Sequence, residues 1–449
     1  MSGPGSDIEQ TRHRFESLVA AGDLGALGKA VADLHPSDLA DLLEELGEED
    51  QVQVLSALPA ELASESLAEM EEGEDRGDLL AALEPAKGAE LIHELAADDA
   101  VDLIAELEPH EQQRILGELP AAEAGELRGL LAYDEETAGG LMTTELVSVA
   151  ISLTAQGALE RVRVLGREVE DFYTVFVVDS EMRLQGTVGL DDLVTADPAA
   201  SVESLVEPVV ASVHPDVDQE EVGRLIGRYN LASIPVVTDA GELLGRITFD
   251  DVIDVIEAEQ TEDIFRLAGV ADEDELRHNW TESVRTRLPW LMLNLLTAAL
   301  AASVILYFHE TLERVLMLAF LAPIIAAMGG SSGTQSLAVT IRRITVEGSG
   351  SARGFVYKEL LIGLVNGAVL GLGIAVISLL AGGDPMLGLV VLLAMWGNQV
   401  VAGFAGAFVP TTLDRWGVDP SVASSVFVHT LTDLCGFFLL LGLASRLLL

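Results

Sequence analysis

Five apolar segments, each long enough to cross a lipid bilayer, occupy the last part of this 449-residue chain and constrain its fold most strongly. A bilayer core of about 30 Å requires about 20 apolar residues in a helix, because no water is available there to satisfy backbone polar groups. The sequence therefore predicts an all-α transmembrane domain with five helices over residues 286–449. The predicted spans are 289–308, 315–341, 355–381, 386–412 and 422–449.

The charge of the chain is unevenly distributed. A formal net charge of -48 coexists with a mean hydropathy of +0.37, and most acids precede about residue 275. An acidic soluble part is therefore expected before the membrane part. Its acidity favours cations over nucleic acid as partners. Cys435 is the sole cysteine, which excludes a disulfide within the chain, and the N-terminal residues lack the apolar region of a cleaved signal peptide.

Basic residues beside the spans predict the orientation. Arg285 and Arg287 precede the first span, Arg342 and Arg343 follow the second, and Arg415 follows the fourth. The positive-inside rule then places the acidic part in the cytoplasm and the C-terminus outside. We therefore expect an integral protein of a bacterial-type inner or plasma membrane.

One acid, Asp433, lies near the middle of the last apolar segment. A carboxylate at membrane depth costs on the order of 3 kcal/mol unless a partner stabilises it, so such a residue indicates function. His429 precedes it by one helical turn and adds an imidazole on the same face. We interpret Asp433 as an acid lining a cation path; a carboxylate hydrogen-bonded inside a helix bundle, or held protonated, is the alternative.

Polar residues in the other spans extend this path. The glycine- and hydroxyl-rich stretch 327–336 predicts a break in the second helix, which a membrane tolerates where the backbone is buried or lines a wet cavity. The candidate pore and gate residues are Gly330, Ser331, Thr334, Gln335, Glu359, Pro410 and His429.

Short leucine-rich segments, each closed by a glycine or proline, recur over residues 1–133. Acids follow several of these breakers, as expected for proline and carboxylates in the first turn of a helix. The pattern predicts an all-α superhelical repeat domain. Most of its acids are expected on a solvated face, but Asp98, Asp99 and Asp102 are dense enough to hold a cation if a second acidic surface meets them.

Two similar α/β units are predicted at 134–200 and 201–250. The segments 233–237 and 245–251 resemble a tandem pair of cystathionine-β-synthase (CBS) domains, which often bind adenine nucleotides. The resemblance implies that Thr248 and Asp251 hold the phosphate and ribose of ATP or another adenine nucleotide. Gly189 replaces the corresponding hydroxyl residue of the first unit. An Asp at this place also favours the helix dipole without any ligand.

An acidic connecting helix is predicted over 251–285. Its acids recur at helical spacing, and like charges so placed repel by a few tenths of a kcal/mol per pair. Bound cations would relieve that repulsion, which indicates a sensor; a solvated helix face is the alternative.

The order of these parts resembles the MgtE-type magnesium channels over nearly the whole chain. The resemblance rests on residues 133–143, the tandem CBS units, the acidic connecting helix, Lys358-Glu359, and 417–420 ahead of 431–433. It implies a homodimer of five-helix subunits in membrane lipid, with the pore on the dimer axis and Asp433 contacting hydrated Mg²⁺.

The resemblance also implies that Mg²⁺ bound between the repeat domain, the CBS domains and the connecting helix holds the pore shut. Ser331 stands where the family usually has Asn, and His429 is atypical, since an imidazole suits Co²⁺ or Ni²⁺ better than Mg²⁺. The implied sensor acids are Asp98, Asp102, Asp251, Asp254, Glu259, Glu262 and Asp263.

Several functions remain open on the residues alone. The first is a magnesium-selective channel closed by cytosolic Mg²⁺. The others are a transporter of Co²⁺, Ni²⁺ or another divalent cation, a transporter coupled to a proton or sodium gradient, and a membrane receptor that senses cations or nucleotide without transport. We do not expect an enzyme, because the sequence offers no nucleophile-and-base arrangement, phosphate-binding glycine loop or spaced His/Cys metal site.

Overall fold

The computed structural model describes residues 12–449 except 14, 16, 20, 22, 23, 33, 71–73, 168, 170, 171, 271–279, 348–351, 382, 383, 417, 422 and 423. The predicted connecting residues 271–279 and the predicted first residue of the last span, Val422, therefore lie outside the described residues. The chain divides into two compact units, Met1–Val255 and Ile256–Leu449.

Short helices build the beginning of the first unit. They are α1 (Leu24–Val31), α2 (Pro36–Glu44), α3 (Glu48–Ala57), α4 (Ala60–Ala68), α5 (Glu74–Ala82), α6 (Pro85–Glu94), α7 (Ala97–Ala105), α8 (Pro109–Glu118) and α9 (Ala121–Leu130). Each packs against the helix two further along the chain, from α1 with α3 to α7 with α9. Leucines such as Leu43, Leu67 and Leu103 are fully buried between them. This confirms the all-α superhelix.

Two α/β units follow, as the duplicated sequence pattern predicts. The elements are β1 (Ser148–Ala150), α10 (Ala155–Leu165), β2 (Thr174–Val178), β3 (Leu184–Gly189), α11 (Leu190–Thr195), α12 (Gln219–Tyr229), β4 (Ser233–Val237) and β5 (Leu243–Thr248). Strand β2 pairs parallel with β1 and antiparallel with β3, while β4 pairs antiparallel with β5. The units meet at their turns, where the backbone N–H of Leu184 donates to Gly241 and that of Leu243 donates to Met182.

A single helix of 20 residues, α13 (Phe249–Ala268), follows β5, and we call it the connecting helix. Asp250 and Asp251 lie in its first turn, where a negative charge interacts favourably with the positive end of the helix dipole. The limit predicted between the second CBS unit and the connecting segment falls inside this helix.

The second unit contains the membrane-length helices. They are α14 (Trp280–Tyr307), α16 (Met317–Glu347), α17 (Ala352–Leu380), α18 (Pro385–Arg415) and α19 (Ser424–Leu447), with the short α15 (His309–Arg314) between the first two. In the described part of the chain, five helices are long and apolar enough to cross a membrane, which confirms the predicted number. Helix α18 packs against α16, α17 and α19 and is the most buried of the five.

The predicted break in the second span is wrong, because α16 continues without interruption through residues 327–336. Its glycines serve close packing instead. Gly329 lies against Asn398, Gly330 against His429 and Gly333 against Val428. Small residues let membrane helices approach closely, and this contact offsets the cost of glycine, about 1 kcal/mol each in a helix.

Candidate ion-binding sites

A cavity of about 650 Å³ opens between α16 and α19. It brings together six of the predicted pore residues. They are Gly330, Ser331, Thr334 and Gln335 from α16, and His429 and Asp433 from α19. The remaining lining residues are alanines, so the polar groups face a space with otherwise small apolar walls.

Two of the predicted pore residues lie elsewhere. Glu359 is 6% exposed near the start of α17, and its backbone carbonyl lies against Gly403 of α18. Pro410 is buried within α18. The structure therefore does not bring Glu359 or Pro410 to the cavity wall.

A second cavity, of about 540 Å³, shares His429 and Asp433 with the first. Asn294 and Thr297 of α14 and Thr430 of α19 contribute to its wall, together with His429 and Asp433. The carboxylate of Asp433 therefore borders both cavities. Hydroxyl, amide and carboxylate oxygens of this kind suit a hard cation that keeps most of its water shell.

Two buried amides that the sequence analysis missed support the first cavity from behind. Asn398 and Gln399 of α18 are fully buried, and their side-chain NH₂ groups donate to the carbonyl oxygens of Ile325 and Met328 of α16, each at 3.0 Å. They fix α16 just before Gly330. The sequence alone indicates such contacts, because two consecutive amide side chains in an apolar helix need buried hydrogen-bond partners.

A first acid cluster lies in the first unit, where α7 meets the start of the connecting helix. Burial raises the pKa of Asp98 well above its usual value, and the nearby carboxylate of Asp251 raises it further. Burial also raises the pKa of Asp99 to about 6, and the carboxylate of Asp251 adds to this shift while Arg76 opposes it. Buried Arg246, whose Nε donates to the Glu145 carbonyl at 2.8 Å, is a second cation near these acids. The cluster is thus poised to accept positive charge.

Asp251 already has partners of its own. The backbone N–H of Thr248 donates to it at 3.3 Å, and so does the Thr248 hydroxyl. A carboxylate in the first turn that accepts from the residue before the helix is one half of a capping box, so this pair fixes the start of α13. Burial raises the pKa of Asp251 despite these bonds. Of the other predicted sensor acids, Asp102 is half-buried on α7 and Asp254 is exposed on α13.

A second acid cluster lies in the second unit, near the end of the connecting helix. Burial raises the pKa of Asp263 to about 6, and Asp419 and then Glu259 add to the shift, whereas Arg342 and a hydrogen bond from Thr345 oppose it. Glu259 and Asp263 are sensor acids that the family resemblance implies, whereas Asp419 has no predicted role of its own.

Arg266 holds this second cluster together. It forms ion pairs with Glu262, one turn earlier, and with Asp419. Asp419 also accepts from the backbone N–H and the hydroxyl of Ser421, each at 2.7 Å. The connecting helix is thereby joined to the segment that precedes α19, the helix that carries Asp433.

Within the described residues, no group of three or more His, Cys, Asp or Glu side chains is arranged to hold a metal ion. In both acid clusters the carboxylates are close enough to raise one another's pKa, but they do not form a complete set of ligands for a metal ion.

Comparisons with known proteins agree along the chain. Three family models match it: "MgtE intracellular N domain" over residues 34–136, "CBS domain" over 202–258, and "Divalent cation transporter" over 322–443. The last of these covers most of α16 and α19, the two helices that line the 650 Å³ cavity, and all of α17 and α18.

Full-length relatives extend the likeness to nearly the whole chain. A magnesium transporter MgtE of Enterococcus faecalis is 39% identical over 92% of this chain and 91% of its own length. One from Thermus thermophilus is 36% identical over 97% and 98%, and one from Bacillus subtilis is 30% identical over 96% of each.

Two solved structures resemble the first unit. The soluble part of a magnesium transporter matches with a TM-score of 0.52 at 31% identity, covering 56% of this chain and 99% of that one. The cytosolic domain of the Mg²⁺ channel MgtE in complex with ATP matches with a TM-score of 0.52 at 36% identity, covering 54% and 99%. Together with five membrane-length helices, these likenesses show that the chain is an integral membrane protein of the MgtE magnesium transporter family.

Proposed function

We propose that this protein is a Mg²⁺ channel whose pore closes when Mg²⁺ accumulates on its cytoplasmic side. The observation that carries the proposal is the placement of acid clusters at both ends of the connecting helix. Asp98 and Asp251 meet at its start, and Asp263 and Asp419 meet near its end.

Raised pKa values at both ends mean that these carboxylates are costly to keep ionised without a counter-charge. Mg²⁺ supplies two positive charges and accepts carboxylate oxygens as ligands. Binding therefore stabilises the arrangement in which the acids are close, and low Mg²⁺ favours one in which they separate. A ligand shifts a conformational equilibrium only through such a difference in affinity.

The pore itself is proposed at the 650 Å³ cavity. Asp433 supplies the charge that attracts the cation, and Ser331, Thr334 and Gln335 supply oxygens for its water shell. Because Mg²⁺ loses water reluctantly, one carboxylate per chain with neutral oxygens around it favours passage over tight binding.

The remaining parts of the proposal follow the same resemblance. The acidic part is cytoplasmic, the C-terminus extracytoplasmic, and two copies form a homodimer with the cavity on the dimer axis. Its domains are the repeat domain 1–133, CBS domains 134–200 and 201–250, the acidic connecting segment 251–285 and the pore domain 286–449. Since a related cytosolic domain was solved with ATP, we place a nucleotide near Thr248 and Asp251 of this chain.

Flux of Mg²⁺ into proteoliposomes tests the proposal, with wild type and Asp433→Ala compared while Mg²⁺ on the cytoplasmic face is varied. We expect wild-type flux to fall as that Mg²⁺ rises, and Asp433→Ala to lose most of it. Asp384→Ala, which removes only a helix-capping carboxylate at Met386, is the matched control and should retain flux.

Three results would contradict the proposal. Flux that ignores cytoplasmic Mg²⁺ would remove the sensor role, and the absence of flux from wild type would favour a receptor that senses cations without transport. Flux that requires a proton or sodium gradient would instead indicate a coupled transporter.

A further inference from the structure

The ring of His429 is held in one orientation by the backbone of its own helix. Its Nδ1 lies 2.8 Å from the carbonyl oxygen of Ser425, one turn earlier in α19. Because a carbonyl oxygen can only accept a hydrogen bond, Nδ1 carries a proton, and Nε2 is the ring nitrogen whose lone pair can bind a metal. Metal-binding histidines are usually oriented by this kind of bond at the nitrogen that does not bind the metal.

The free edge of this ring faces α16. A Cβ added to Gly330 would lie 3.1 Å from Cδ2 and 3.4 Å from Nε2 of His429, so the edge packs where α16 has no side chain. Asp433 follows one turn later on the same face of α19, and both residues line the 650 Å³ and the 540 Å³ cavities. Nε2 and the carboxylate therefore border the same space.

These two groups differ in the cations they suit. Carboxylate, hydroxyl and amide oxygens suit Mg²⁺, whereas an imidazole nitrogen adds affinity for first-row transition metals such as Co²⁺ and Ni²⁺. Of the side chains that line the first cavity, His429 alone offers a nitrogen lone pair.

We propose that Nε2 of His429 and the carboxylate of Asp433 form a binding site for first-row transition metal ions, in particular Ni²⁺ and Co²⁺. The proposal rests on the proposed Mg²⁺ flux through this cavity. A hydrated Mg²⁺ ion uses Asp433 without His429, while Ni²⁺ bonds directly to Nε2, stays longer and obstructs the path. Transition metals are thus inhibitors that bind inside the pore.

The test measures the Ni²⁺ concentration that halves Mg²⁺ flux in proteoliposomes of the tag-free full chain. We expect this concentration to rise at least about tenfold in His429→Gln, as loss of a group that supports a metal typically does. For each variant, Mg²⁺ flux with Ni²⁺ is divided by the flux of the same variant without Ni²⁺, so a change in its own Mg²⁺ flux does not affect the comparison. His309→Gln is the matched control. Nδ1 of His309 also lies 3.0 Å from a backbone carbonyl oxygen, that of Leu306 three residues earlier, but His309 lines neither cavity.

Calorimetric titration of the detergent-purified chain with Ni²⁺ gives a second readout that needs no flux. Wild type and His309→Gln should bind with equal affinity, and His429→Gln at least about tenfold more weakly. Equal Ni²⁺ affinity in wild type and His429→Gln would overturn the metal site even if Mg²⁺ flux is intact. A wild-type protein without Mg²⁺ flux but with His429-dependent Ni²⁺ binding would instead remove the proposed function and keep the site.

Discussion

Arg266 near the end of the connecting helix is paired with Asp419, 153 residues later in the chain, in the segment that leads into α19. The same guanidinium also pairs with Glu262. A cation of the protein thus occupies the carboxylates that the proposed function assigns to Mg²⁺. The protein's own charge and the ion compete for the same oxygens.

This competition predicts the effect of Arg266→Gln. Without the Arg266 guanidinium, Mg²⁺ no longer competes with it for Glu262 and Asp419, so Mg²⁺ should bind more tightly and close the pore at a lower concentration. We expect about a fivefold decrease in the cytoplasmic Mg²⁺ that halves flux, a typical coupling between sites. Arg224→Gln removes a comparable pair, with Glu221, and should leave this concentration unchanged. An unchanged or raised value in Arg266→Gln would contradict the competition.

The contact between Gly329 and Asn398 predicts a compensating pair of substitutions. A Cβ at Gly329 would lie 2.2 Å from Nδ2 of Asn398, so Gly329→Ala should force α16 and α18 apart, lowering both flux and the thermal unfolding temperature. Asn398→Ala should lose its hydrogen bond to Ile325, worth about 0.6 to 2 kcal/mol in membrane proteins. The double variant should recover part of what Gly329→Ala loses.

Gly373 of α17 provides the control for this pair. Nothing lies within 4 Å of a Cβ placed there. Gly373→Ala should therefore leave flux unchanged and raise stability by about 0.5 to 1 kcal/mol, the ordinary gain of Ala over Gly in a helix. Additive losses in the Gly329/Asn398 double variant would show that the two residues do not clash.

Raised carboxylate pKa values predict that the ion-free protein becomes less stable as the pH increases. The pKa of Asp263 is about 6 in the folded chain and lower when unfolded, so the folded state binds more protons between these values. Stability is then lost as the pH rises from about 4 through about 6. In chelator, the thermal unfolding temperature should be higher at pH 5.5 than at pH 7.5, and Mg²⁺ should reduce that difference.

Substitution isolates the contribution of Asp263. Asp263→Asn should raise the unfolding temperature in chelator at pH 7.5 and flatten its dependence on pH. Glu257→Gln, an exposed position on the same helix, is the control and should do neither. A profile equally steep in Asp263→Asn and wild type would assign the effect to other carboxylates.

The repeat domain contains a buried ion pair whose removal should be costly. Arg76 is 5% exposed, donates to Glu106 at 2.6 Å and 3.0 Å, and also bonds the carbonyl of Ala68 at 2.9 Å. Arg76→Leu leaves a buried carboxylate without its cation, which typically costs about 3 to 5 kcal/mol. Lys87→Ala breaks only the i,i+3 pair with Glu90 and should cost under about 1 kcal/mol. Thermal or denaturant unfolding of the full chain compares the two.

Much of this architecture follows from local pattern. The sequence pattern predicts helices over residues 155–165 and 219–229 and a strand over 243–248, and α10, α12 and β5 have these bounds, because turns on either side limit each short periodic segment. The five spans follow from length and apolarity alone. The pore residues of α16 and α19 meet because the motifs that carry them occupy adjacent helices.

Contacts between residues that are distant in the chain were harder to predict from the sequence. Gly329 and Gly330 predicted a break, since glycine in a helix is costly unless a neighbour approaches, and no local signal names Asn398 or His429 as that neighbour. Arg266 and Asp419 are each ordinary charged residues until the fold places them together. The role of an amide, a glycine or a charged residue depends on a partner that is distant in the sequence, whereas apolar periodicity can be recognised within a single segment.

The bond that orients His429 ends on a backbone carbonyl, a group that no substitution at Ser425 can remove. The geometry of the ring is therefore inherited with the helix, and only position 429 must change for the imidazole to be gained or lost. A single codon could then alter how relatives of this chain tolerate nickel or cobalt in their surroundings, without remodelling any neighbouring helix. Bacteria in metal-rich and metal-poor habitats would be expected to differ at this position.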